Sequence, residues 1–305
     1  MDLFSIILII LGLSLFETVS SVDNAIVNAE VLSRMGEKAR KWFLGWGILF
    51  SVFFVRGALP WAIIWATLPS LGPIGALTAT FSNDIRVHEA IEKAAPILLI
   101  GGGVFLIFLF FNWLFLEEKN YGLVGERFFH SQGVWFFAVI SVILAVIVWC
   151  ALMANPMMAF GAVLGSTAFF ITQGFKSNAE KREKELMQGS SNLSDTSKIF
   201  FLMIIDTTFS LDGVLGAFAF TLSVPLILLG NGLGAVVVRE FTVRNIETIK
   251  KYIYLKNGAM YSIGVLGLIM VLESFGAHIP SWLSPVVTFA AVGYFFFKSK
   301  KVINN

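Results

Sequence analysis

The chain has 305 residues, of which 57% are hydrophobic and 14% charged, and its mean hydropathy is +0.81. Soluble domains carry roughly 25% charged residues, so this composition excludes one and indicates a polytopic membrane protein. The net charge of +2 gives no basis for a nucleic-acid partner, and the single Cys150 excludes an intrachain disulfide framework and a thiolate metal cluster.

A bilayer core about 30 Å thick needs about 20 apolar residues per helix. On that measure the sequence predicts nine spans, near 3–31, 42–66, 96–116, 134–153, 156–175, 198–222, 223–240, 257–275 and 281–297. The first opens with MDLFSIILII, which lacks the positive flank and small-residue cleavage site of a secretory signal, and reads as a retained helix. Basic residues test this arrangement independently. With the N-terminus outside and the C-terminus inside, 19 of the 22 Lys and Arg fall in inner loops, Arg86 and Lys93 fall outside, and Arg56 lies within the second span. The expected fold class is an all-α, multi-pass membrane protein, embedded in the lipid bilayer by about nine transmembrane helices.

The chain also divides in the middle. Residues 176–197 are the longest polar, charged stretch and read as a cytoplasmic linker between a first membrane half, 1–175, and a second, 198–305. The second half resembles the first: ETVSSVDNA at 17–25 aligns with DTTFSLDGV at 206–214, matching an acid, Thr, Ser, an aliphatic residue and Asp. Five predicted spans separate the starts of the two copies, so they run in opposite directions. An inverted-topology repeat of this kind places a transporter's substrate site near the midplane, where its copies meet.

Carboxylates inside a bilayer cost about 2.5–3.5 kcal/mol each on insertion scales and are usually functional. Glu17, Ser20, Ser21, Asn24 and Asn28 share one helical stripe, whereas Asp23 lies about 120° off it and about 9 Å along the axis from Glu17. The same six-residue gap separates Asp206 from Asp212, with Ser210 one turn from Asp206. One straight helix cannot close an ion site with both of its acids. Two antiparallel copies can, either by setting an acid of one helix beside an acid of the other or by unwinding at Asp23–Asn24 and Asp212–Gly213 to add main-chain carbonyls. Gly213 and Gly216 favour a break in the second copy, and nothing after Gly12 favours one in the first.

Carboxylate, carboxamide and hydroxyl oxygens suit hard divalent cations such as Mn, Mg or Ca. The candidate metal-binding set is Glu17, Asp23, Asn24, Asp206, Ser210 and Asp212, with Arg56 as a charge partner. No resident cofactor is expected, since the cation is the cargo. Divalent binding displaces protons from the acids, so exchange with protons is a natural coupling. The glycine runs at 101–103 and 230–234 read as helix-packing positions, since neither follows a strand.

The motif Glu17-x5-Asp23-Asn24, its counterpart Asp206-x2-Phe209-Ser210-x-Asp212, Arg56, the NGLGAVVVRE stretch with Asn231 and Arg239, and YLKNG at 254–258 resemble the TerC family of bacterial integral membrane proteins, related to the LysE-type exporters. The likeness covers most of the chain, as a divergent branch. Gly213 stands where that family usually has Ser, and Met203 where an additional acid is common. The resemblance implies export of manganese from a bacterial cell across the inner membrane, with the motif acids as ligands and no enzymatic activity. Two other readings use the same acids. A membrane partner protein would load metal onto exported proteins, and an intramembrane aspartyl protease would pair Asp23 with Asp212, leaving Glu17 and Asp206 without a role.

Overall fold

Every regular element among the described residues is helical, as the apolar runs require: buried in lipid, a backbone must bond within its own segment. The computed structural model describes residues 2–47, 50, 56–67, 69–78, 85–187, 194–240 and 246–303. The helices are α1 (Leu3–Ser20), α2 (Val22–Ser33), α3 (Glu37–Trp42), α4 (Arg56–Thr67), α5 (Gly72–Thr78), α6 (Ile85–Leu116), α7 (Val124–Ser131), α8 (Phe136–Ala154), α9 (Pro156–Met187), α10 (Asp195–Ala217), α11 (Val224–Glu240), α12 (Ile246–Lys250), α13 (Leu255–Ser274) and α14 (Leu283–Ile303). A π-helical stretch, Phe43–Gly47, continues α3.

Among the described residues, five segments are long and apolar enough to cross a bilayer: Leu3–Ser20, Ala94–Leu116, Gly133–Ala154, Pro156–Asn178 and Leu255–Ser274. Each coincides with a predicted span. The first is shorter than predicted, because the helix expected over 3–31 breaks at Ser21, whose backbone sits at φ −90°, ψ 3° between α1 and α2. The second motif copy, where two glycines favoured a break, runs unbroken through α10. Its glycines serve contact instead: a Cβ on Gly216 would lie 2.5 Å from the Phe16 ring, and one on Gly213 would lie 2.6 Å from Glu17 Oε2.

Helix α6 is the central post, packed against α9 on one side and α13 on the other. Small residues permit this closeness, as expected where lipid supplies no hydrophobic drive between helices. A Cβ on Gly165 of α9 would lie 2.0 Å from Gly101 O, and one on Gly103 would lie 2.9 Å from Gly267 O of α13. Phe169 of α9 then locks three helices, with its ring centroid 6.1 Å from Phe105, 5.5 Å from Phe108 and 6.5 Å from Phe136. Helix α1 lies along α11 and also meets α14. Its Gly12 is backed by Pro285 and Phe220.

The start of α10 is capped by Ser194, whose Oγ accepts from Ser197 N at 3.3 Å. Asp195 Oδ2 accepts from Gly36 N at 3.0 Å, and Lys198 Nζ donates to Arg34 O at 3.0 Å, fastening α10 to the turn after α2. Lys298 Nζ donates to Gly122 O, and Tyr254 N donates to Ser299 Oγ at 3.0 Å, so the end of α14 meets the α6–α7 loop and the start of α13.

Candidate cation site

The break at Ser21 divides the first motif between two helices and turns its acids toward different neighbours. Glu17, one turn before the end of α1, is 1% exposed; Ser21 Oγ donates to its Oε1 at 2.7 Å. Gly213 lets the carboxylate approach α10, and Gly234 lets α11 press against the Glu17 stem, where a Cβ would lie 2.7 Å from Glu17 Cβ. Past the break, Asn24 Nδ2 donates to Asp206 Oδ1, joining α2 to α10 through two buried side chains. Asn231 of α11 is fully buried, and neither of its amide atoms has a hydrogen-bond partner among the described residues.

Asp23, one residue before Asn24 and so about 100° around the helix, faces the other way. Its Oδ2 lies 2.5 Å from Lys256 Nζ in the first turn of α13, and the same ammonium contacts Glu117 Oε1 just past the end of α6. These three side chains line a cavity of about 30 Å³ with Ser20, Lys176 of α9 and Asp212 of α10, over an apolar floor of Leu109, Met260 and Ile263. That volume holds roughly one or two waters, or one dehydrated cation. Asp212 Oδ1 is buried and has no hydrogen-bond partner among the described residues.

The structure thus brings Asp23 and Asp212 to one cavity and pairs Asn24 with Asp206, while Glu17 lies against α10 beside Gly213. Asp23 lies three residues beyond the apolar segment Leu3–Ser20, Glu117 one beyond Ala94–Leu116, and Lys256 is the second residue of Leu255–Ser274. The mouth of the cavity is therefore at one end of these segments, whereas the inverted repeat leads to the expectation of a site near the midplane. Among the described residues no three His, Cys, Asp or Glu side chains converge as a ready metal cluster. The side chains of Arg56 and Ser210 lie outside the described residues.

Lys256, Glu117 and Lys176 are the participants that sequence reasoning missed, the two lysines having been read only as topology markers. A signal was available for two of them. A helix favours anions at its N-terminus and cations at its C-terminus. Lys256 opens α13 and Glu117 follows α6, so each carries the wrong sign for its own helix and the right sign for the other.

A further buried carboxylate holds this corner in place. Glu126, 1% exposed, accepts from Gly122 N at 2.6 Å, Leu123 N at 3.1 Å, Asn257 Nδ2 at 2.9 Å and Tyr261 Oη at 3.1 Å. With four donors it is satisfied, and its bonds to Asn257 and Tyr261 fix the turn of α13 that carries Lys256. Lys119 caps α6 from the same loop, donating to Trp113 O and, at 2.7 Å, to Leu114 O, with its ammonium 4.1 Å from the Trp113 ring centroid. Burial lowers its pKa from 10.5 to about 8, and the nearby Glu126 charge opposes that shift.

Among curated proteins the chain is similar to the "Uncharacterized membrane protein YceF" of Bacillus subtilis (strain 168), with 29% identity over 136 residues, covering 42% of this chain and 53% of the relative. The chain thus spans about half the length of the curated relative it matches. No solved structure matches. The family model described as "Protein of unknown function (DUF475)" matches residues 22–305, a stretch that holds Asp23, Asn24, Glu117, Lys176, Asp206, Asp212 and Lys256. This membrane protein belongs to that family.

Proposed function

We propose that the protein is a transporter that exports a divalent metal cation from a bacterial cell across the inner membrane, with manganese as the cargo indicated by the TerC resemblance. One observation carries the reading: Asp23 and Asp212, the corresponding acids of the two motif copies, line the same cavity. Packing alone gives no reason to bring both acids to one small cavity, where a charge without a partner is costly. In this reading the chain spans the membrane nine times, N-terminus outside, and the copies form an inverted repeat. Asp23 and Asp212 bind the cation, Asn24 orients Asp206, and Glu17 and Asp206, at separate points along α10, take protons or the ion in turn. Hard oxygen donors favour Mn, Mg or Ca over soft metals.

The test is metal content in cells with and without the protein, across Mn, Mg, Ca, Co and Zn. Wild-type protein lowers cellular Mn under Mn load. Asp23→Asn and Asp212→Asn keep the shape and remove the charge, and each lowers efflux at least about 10–100-fold, the range for losing even a supporting group at a metal site. Unchanged content of all five metals would overturn the transport reading, and full efflux by Asp23→Asn would overturn the ligand assignment.

A further inference from the structure

Lys256 stands where a mobile cation would stand. Its ammonium touches Asp23 at 2.5 Å and also Glu117, bridging α2 to the end of α6, and the side chain keeps 29% exposure. The pair is reached from the open side of the cavity and is not sealed in the core. A lysine head is a compact point charge on a flexible four-carbon stem, so it leaves by rotating its side chain, with no movement of α13. Asn257, the next residue, is held by Glu126 and Asn120 O and fixes the helix from which Lys256 swings.

The charges around the cavity agree with such a role. Its ionisable groups are Asp23 of α2, Glu117 after α6, Lys176 of α9, Asp212 of α10 and Lys256 of α13. Fully ionised, three carboxylates and two ammonium groups leave one negative charge. With Lys256 withdrawn the balance is two negative charges, the complement of a divalent cation. A monovalent ion replacing Lys256 restores only the charge that left, whereas a divalent ion neutralises the cavity. Asp212 Oδ1, which no hydrogen-bond donor among the described residues reaches, is the oxygen left for an entering ion.

We propose that Lys256 is the resident cation of this cavity: its ammonium bridges Asp23 and Glu117, offsetting one of their two charges, until a divalent cation enters and displaces it. The inference rests on the divalent-cation reading of the cavity and adds to it a built-in competitor. Competition weakens binding and favours release, because a transport site must bind well enough to load and weakly enough to unload. It also spares the site from ever exposing two bare carboxylates.

The experiment uses the full chain in lipid nanodiscs and MnCl₂ as the probe, with free Mn²⁺ read by electron paramagnetic resonance. Lys256→Gln removes the competitor and lowers the dissociation constant about tenfold, equal to ~1.4 kcal/mol. In the wild-type protein, Mn²⁺ raises acetylation of Lys256 by an amine-reactive reagent, quantified by peptide mass spectrometry, because the displaced ammonium enters solvent. Unchanged or weaker Mn²⁺ binding in Lys256→Gln, or Lys256 acetylation that does not rise with Mn²⁺, overturns the proposal and makes Lys256 a brace between α13 and α2. The acetylation measurement decides alone if the variant does not fold. Absence of Mn²⁺ binding in both proteins, or binding that Asp23→Asn leaves intact, overturns the cation reading of the cavity itself and the competitor with it.

Discussion

Asp23 and Asn24 are neighbours in the chain and belong to different arrangements, one an ion pair at a cavity and the other a buried hydrogen bond between helices. Their types and spacing were legible in the sequence; their partners were not, because Lys256 and Glu117 are more than ninety residues away, and a wrong-sign charge at a helix end shows that a partner is needed without saying which. Lys119 illustrates the same gap. Nothing about an isolated lysine in EEKNYG announces a depressed pKa, which arises only when the folded loop half-buries the ammonium against the end of α6. Its consequence is measurable. After reductive ¹³C-methylation, one dimethyl-lysine resonance titrates near pH 8 and disappears in Lys119→Arg. The sign for stability follows from linkage: between about pH 8 and 10.5 the unfolded chain holds this proton and the folded one does not, so this group's contribution to stability rises with pH across that window. A midpoint near 10.5 for the resonance that Lys119→Arg removes would show that Lys119 remains solvated.

At the scale of elements, α6, α8, α9 and α13 were legible because each is a continuous apolar run of about the length a bilayer demands. The break between α1 and α2 was not, since no Gly or Pro marks it. Its physical correlate is the change from an apolar run to SSVDN, where Ser side chains compete for main-chain and carboxylate partners and Ser21 bonds Glu17. The glycines of the second motif misled for the opposite reason: they answer to neighbouring helices and not to their own backbone. Two substitutions separate these roles. Gly165→Ala drives a methyl into Gly101 O, backbone against backbone, and destabilises the protein by about 1–3 kcal/mol, read as a lowered midpoint of thermal unfolding in detergent. Gly213→Ala meets only the movable tip of Glu17, so it leaves that midpoint within about 0.5 kcal/mol of wild type and lowers metal efflux by displacing the carboxylate. Equal thermal losses in both would mean that Glu17 is too rigidly held to move.

At the scale of the whole molecule, one end of the bundle gathers Lys119, Arg127, Lys176, Lys256 and Lys298 around the cavity and its flanking loops. The excess of Lys and Arg on cytoplasmic loops sets membrane orientation, so this end is expected to face the cytoplasm, and the cavity with it. Reporters fused at position 185 and after the C-terminus should then be active only inside the cell, and a reporter near position 85 only outside. The outcome bears on mechanism as well as topology. A cavity whose mouth faces the cytoplasm loads the cation that an exporter must remove, and the resident Lys256 is then displaced by ions from the compartment where they are in excess. An external signal at position 185 would invert the molecule, turning the same cavity outward and the proposed export into uptake.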